Sequence, residues 1–145
     1  MNAHTKPIDK IILHTLYTPP EMDVTAEDVY NWHTQGNGWL HGGYHWVIGR
    51  SGLIESLRPA IYQGAHTRGH NDGSLGVALA GGKLAANVDE PENNYTMAQW
   101  LSVDALLNAI VSVFGPLEIY GHNDFNSDRW CPGFNAKLLI ERKEN

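Results

Sequence analysis

The sequence holds a single cysteine, Cys131, so an internal disulfide is excluded and the thiol must be free, buried or metal-bound. At 145 residues the chain can do without one, burying roughly two-thirds of its unfolded surface as one domain. Positive charge is also scarce. Ten Lys and Arg stand against sixteen Asp and Glu, a net charge of −6, and the cations are not clustered. Non-specific nucleic-acid binding depends on neutralising phosphates and is not expected. The start, Met1-Asn2-Ala3-His4-Thr5-Lys6, lacks the apolar core of a signal peptide, and no stretch reads as a membrane span. The expectation is a soluble protein in the cytoplasm of the cell that makes it, with no membrane insertion. Internal repeats, low-complexity tracts and linkers are missing too, so residues 1–145 are expected to form one domain with its core over about 10–140.

What is present alternates between strand and helix. Ile11 to Leu13 is β-branched and apolar, a buried strand that ends at His14. Pro19-Pro20 forces a loop. Thr25 and Asp28 form a capping box for a helix whose apolar stripe is Val29 and Trp32, ended by Gly36 and Gly38. Tyr44 to Ile48 and Leu53 to Leu57 read as a hairpin around Arg50-Ser51-Gly52. Leu75 to Ala80 is apolar on both faces, which suits a central strand. Residues 83–95 read as a polar loop. Thr96 and Gln99 cap a second helix, where Trp100, Val103, Leu107, Ile110 and Phe114 recur at helical spacing up to Gly115-Pro116. A strand over 117–120 and a short helix over about 135–143 complete the chain. The predicted architecture is α/β: a central mixed sheet flanked by helices.

Chemistry concentrates in Gly121-His122-Asn123-Asp124-Phe125-Asn126-Ser127-Asp128-Arg129-Trp130-Cys131-Pro132-Gly133. Imidazole and thiolate both ligate zinc, and a catalytic zinc takes three protein ligands with one position open. His122 and Cys131 supply two candidates, and His14, at the end of a distant strand, is the best third. Open α/β sheets place their sites at such strand ends. Taken alone, each residue also has an ordinary reading: a hydrogen-bonded structural histidine, or a cysteine packed as a small hydrophobe.

Five segments, in order, carry a resemblance. They are Ile11-Ile12-Leu13-His14; Gly38-Trp39-Leu40-His41-Gly42-Gly43-Tyr44-His45-Trp46-Val47-Ile48; Gly64-Ala65-His66; Ser74-Leu75-Gly76-Val77-Ala78-Leu79-Ala80-Gly81-Gly82; and His122 through Cys131-Pro132-Gly133. The chain resembles the type 2 N-acetylmuramoyl-L-alanine amidases, especially the short phage lysozyme-amidases, a family that also contains the peptidoglycan recognition proteins.

The resemblance implies a Zn²⁺ site of His14, His122 and Cys131, an active-site tyrosine at Tyr44, and His66 lining the substrate cleft. It puts Arg129 where the family usually has Lys or Thr, His41 where the short phage enzymes tend to have Asp, and Gly73 where Asn is common. The implied reaction is hydrolysis of the amide joining the lactyl group of N-acetylmuramic acid to L-alanine of the stem peptide. Zinc would acidify water and polarise the carbonyl, while Tyr44 and Arg129 would meet the developing oxyanion. Peptidoglycan is the expected partner and a monomer the expected state. A phage endolysin, acting on the wall after release, is the expected setting.

Strand alternation puts Tyr44 and His45 on opposite faces, leaving His45 a structural or supporting role. His33 reads as packing or surface, and His4, His41 and His70 as solvated. Asp124 or Asp128 can orient a ligand histidine. Trp39, Trp46 and Trp130 can stack on sugar or close the core. Two other functions fit the same residues: a non-catalytic peptidoglycan-binding module of this fold, and a thiol hydrolase with Cys131 as nucleophile and His122 as base. Pro132 weighs against the second, because it removes the N–H that would follow the nucleophile.

Overall fold

The computed structural model describes residues 1–36, 42–126, 130–134 and 136. Five strands form one sheet: β1 (Lys10–Thr15), β2 (Trp46–Ile48), β3 (Ile54–Ser56), β4 (Ser74–Leu79) and β7 (Glu118–Gly121), in the order β3-β2-β4-β1-β7. β1 runs parallel to both β4 and β7, β2 is parallel to β4, and only the β2–β3 pair is antiparallel. The sheet is mixed, as expected. β4 lies between β1 and β2 with every residue buried, which explains its apolar run.

Two helices cover the two faces. α2 (Met97–Phe114) packs Val103, Leu107 and Ile110 against Ile11, Leu13, Leu75, Val77 and Leu79. α1 (Ala26–Asn31) packs Ala26 and Val29 against Val47 and Ala80 in a separate cluster. The alternation of side chains along β1 and β4 sorts these sets: odd-numbered residues point at α2, and Ile12, His14, Gly76 and Ala78 point the other way. Both capping boxes form: Thr25 with Asp28, and Thr96 with Gln99.

The structure departs from the sequence reading in several places. Residues 83–95 are not all loop, since β5 (Lys83–Ala85) and β6 (Val88–Pro91) pair as an antiparallel ribbon outside the main sheet. Their side chains are mostly exposed, so no alternation of apolar residues marked them. α1 gives way to a π-helical turn, Trp32–Gly36, and Trp32 leaves the buried stripe with 40% exposure. On α2 Phe114 is exposed, while Leu106 joins the core. β2 and β3 are shorter than expected, although the Leu57 N–H still donates to the His45 carbonyl (2.8 Å) beyond them. α2 is also long and apolar enough, by length and composition, to cross a membrane (mean hydropathy 1.4), contrary to the sequence reading. One face of it, with Val103, Leu107 and Ile110, is buried on the sheet, while Met97, Leu101 and Val113 are exposed. Of the helix expected over 135–143, all but Ala136, a buried turn residue, lies outside the described residues.

Candidate metal centre

The site follows from the pairing of β1 with β7. These strands are parallel neighbours with Leu13 opposite Gly121, so their C-terminal ends deliver His14 and His122 side by side. The two rings lie 4.8 Å apart, centroid to centroid. His122 opens a 3-10 turn (His122–Asp124), whose Asp124 carboxylate accepts the Gly121 N–H at 2.8 Å.

The chain then returns to place Cys131 against both. The Asn123 N–H donates to the Cys131 carbonyl (2.8 Å), and the buried Tyr95 hydroxyl donates to the Pro132 carbonyl (2.6 Å). The Thr15 N–H points at Cys131 Sγ, 3.0 Å away, an arrangement that favours the thiolate. One ligand atom each from His14, His122 and Cys131 falls within 4.8 Å of the others, and Cys131 Sγ is 3.8 Å from His14 Nδ1. Zinc with bonds of about 2.0 Å to nitrogen and 2.3 Å to sulfur would set tetrahedral donors about 3.5 Å apart. The borderline-soft N₂S donor set and its spacing therefore fit zinc.

These residues floor a cleft of about 560 Å³, with Tyr44, His33, His66 and Trp130 among its walls. The Tyr44 ring is 5.1 Å from that of His14 and 5.4 Å from that of His33. A second hollow of about 640 Å³ adjoins it across His66 and His122, and includes Arg68, Asn71 and Phe125.

Sequence comparison shows the family, and structure comparison shows the fold. Residues 4–134 match the family model described as N-acetylmuramoyl-L-alanine amidase. The chain belongs to that family. It is 34% identical to the endolysin of Klebsiella phage KP32 over 135 residues, covering 93% of this chain and 87% of that one. To the endolysin of Escherichia phage T7 it is 32% identical over 139 residues, covering 94% and 87%. Among solved structures, bumblebee PGRP-SA superimposes with a TM-score of 0.79 at 24% identity, covering 97% of this chain and 84% of that one. Membership of the amidase family supports peptidoglycan hydrolysis as the function.

Within this family fold, the residues singled out from sequence divide by position. His14, His122, Cys131, Tyr44 and His66 converge on one cleft. Arg129, Asp128, His41 and Trp39 lie outside the described residues. His45 stays out of the cleft wall that Tyr44 lines, and hydrogen bonds hold its ring: its Nδ1 accepts the Gly76 N–H (3.0 Å) and its Nε2 donates to the Tyr62 carbonyl (2.7 Å). Burial pushes the His45 imidazole down to about 4, with His4 and Arg58 adding to the shift and the Tyr62 bond opposing it.

His33 is a half-buried cleft wall whose Nδ1 accepts the Gly43 N–H (2.8 Å). His70 is exposed, as expected, with its ring 4.2 Å from Phe125. His4 is not solvated: its side chain is 6% exposed, and its Nδ1 accepts the Gly73 N–H at 2.9 Å. Trp46 packs against the core, whereas Trp130 borders the cleft. The sequence did not mark Thr67 and Ser74, whose hydroxyls lie beside the His14–His66 pair. Their proximity depends on β1–β4 register and on a loop, neither of which short motifs encode.

Proposed function

We propose that the chain is a single catalytic domain that hydrolyses the amide between N-acetylmuramic acid and L-alanine of the stem peptide, using one zinc ion held by His14, His122 and Cys131. The observation that carries this reading is the convergence of those three ligands beside Tyr44 on the cleft floor. When bound there, zinc supplies Lewis-acid chemistry, acidifying water and polarising a carbonyl.

The chain's own groups do the rest. The Thr15 N–H, and the bond from the Asn123 N–H to the Cys131 carbonyl, keep Cys131 oriented as a thiolate ligand. Tyr44, one ring away from His14, presents a phenolic O–H to the oxygen that gains charge as the scissile carbonyl becomes tetrahedral. Arg129 supplies fixed positive charge near the same oxygen, a role read from sequence alone; its guanidinium cannot act as a proton shuttle. The cleft walls at His33, His66 and Trp130 and the adjoining hollow take the muramyl peptide. The protein acts as a monomeric endolysin-type enzyme, made in the cytoplasm and working on the wall after release. Named endolysins among its relatives support that setting.

Metal analysis tests the reading. Protein purified without added zinc is expected to hold close to one equivalent, and a strong chelator is expected to abolish wall lysis until zinc is restored. Less than a tenth of an equivalent, with lysis surviving chelation, would contradict it.

A further inference from the structure

His14 has two ring nitrogens, and only Nδ1 faces Cys131 Sγ. A neutral imidazole carries one proton, so that nitrogen can bind a metal only if the proton sits on Nε2. The surroundings of Nε2 decide this. It lies 3.0 Å from His66 Nδ1 and 3.3 Å from Thr67 Oγ1.

The polarity of these contacts can be traced from a group whose role is fixed. The Ser74 hydroxyl is 2.6 Å from the His70 carbonyl and 3.3 Å from that of Asn71. Carbonyls only accept, so the Ser74 proton points at them and its oxygen is left to accept. His66 Nε2 lies 3.4 Å from that oxygen and therefore carries the His66 proton. His66 Nδ1 is then a lone pair. Two lone pairs 3.0 Å apart repel, so His14 Nε2 must carry a proton to meet it. Thr67 Oγ1, which is 3.0 Å from His66 Nδ1, can donate to that nitrogen while accepting from His14 Nε2, and the outcome for His14 is the same.

The backbone is shaped to hold the His66 ring in place. A Cβ on Gly76 would stand 2.6 Å from His66 Cδ2 and 2.9 Å from its Nε2, and a Cβ on Gly64 would stand 2.5 Å from Cδ2. Neither glycine has a positive φ, so space is what demands glycine at both positions.

We propose that His66 and Ser74 are positioning residues for the metal centre: a hydrogen-bond chain of fixed direction, from the His70 carbonyl through Ser74 and His66, holds His14 in the tautomer whose Nδ1 is the ligand atom. The role of the chain in metal binding rests on the zinc reading above, whereas the tautomer itself is a property of the metal-free protein. Partners of this kind, bonded to the far nitrogen of a metal-ligating histidine, typically contribute 10–100-fold to metal affinity.

Two measurements on the full chain test it. Long-range ¹H–¹⁵N NMR of the metal-free wild type should show both His14 and His66 protonated on Nε2, and Ser74→Ala should leave His66 with mixed tautomers. Zinc affinity, read by competition with a chromophoric chelator on variants whose fold is checked by circular dichroism, should fall about 10–100-fold in His66→Ala. It should stay within a few-fold of wild type in His66→Asn, whose carbonyl oxygen can take the place of Nδ1. A wild-type His14 protonated on Nδ1, or a folded His66→Ala with unchanged zinc affinity, would overturn the proposal. Wild-type protein that takes up no zinc would defeat the metal reading separately, and the tautomer spectrum would still decide the chain.

Discussion

In the proposed reaction Tyr44 and Cys131 carry the most chemistry per residue, and both were legible as motifs before their surroundings were known. The Tyr44 ring stands against that of His14, so its hydroxyl is the group to remove. Tyr44→Phe is expected to lower turnover by about a hundredfold with zinc content unchanged, the usual cost of losing one oxyanion donor. Steady-state kinetics on a soluble muropeptide, with metal analysis alongside, checks this; near-normal turnover would reduce Tyr44 to packing. At Cys131 the question is ligand or nucleophile. A carboxylate can replace a thiolate as a zinc ligand, so Cys131→Asp is expected to keep zinc and part of the activity, whereas Cys131→Ala should lose most of both. A nucleophile would tolerate neither change. His4 shows where residue-level reading stops: nothing local reveals that the Gly73 N–H will seek its Nδ1 across the fold.

Among the elements, α2 was the most legible because it declares itself twice, by the spacing of Val103, Leu107 and Ile110 and by its capping box. The sequence did not show how much Gln99 does. Its side chain is fully buried: Oε1 accepts from the Thr96 N–H (2.9 Å) and from Arg50 Nη1 (3.2 Å), and Nε2 donates to the carbonyls of Ala80 (2.7 Å) and Ile48 (3.2 Å). The helix cap is thereby tied to the ends of β2 and β4. Gln99→Ala would leave several buried polar groups unpaired and is expected to cost about 3 kcal/mol, against about 1 kcal/mol for the cap alone in Thr25→Ala. Urea unfolding of the two variants checks the ratio. The β5–β6 ribbon was illegible for the opposite reason, since a two-stranded unit with exposed side chains leaves no burial pattern to read.

Over the whole molecule, the mixed sheet was readable because β4 had to be central and because apolar strands ended at His14 and His122. Strand order was not readable. The adjacency of β1 and β7, which brings those histidines together, is a property of the sheet and not of either segment. Burial of histidine also gives the fold a pH dependence. His45 titrates near 4 in the folded chain and near the ordinary 6.5 when unfolded. Its folded value is depressed, so its contribution is fully present above pH 6.5 and is lost as the pH falls toward 4, where the unfolded state binds a proton that the folded state refuses. The loss amounts to about 3 kcal/mol at one pKa unit per 1.4 kcal/mol. Chemical denaturation of metal-free protein at intervals from pH 7 to 4 should show this decline, and His45→Gln should flatten part of it.

The central claim is the bond that is cut. Purified peptidoglycan digested with the zinc-loaded protein and analysed by mass spectrometry is expected to yield free stem peptides beginning with L-alanine, together with glycan strands stripped of peptide. Products with peptide still attached to muramic acid, cut instead within the glycan or between stem peptides, would contradict the account.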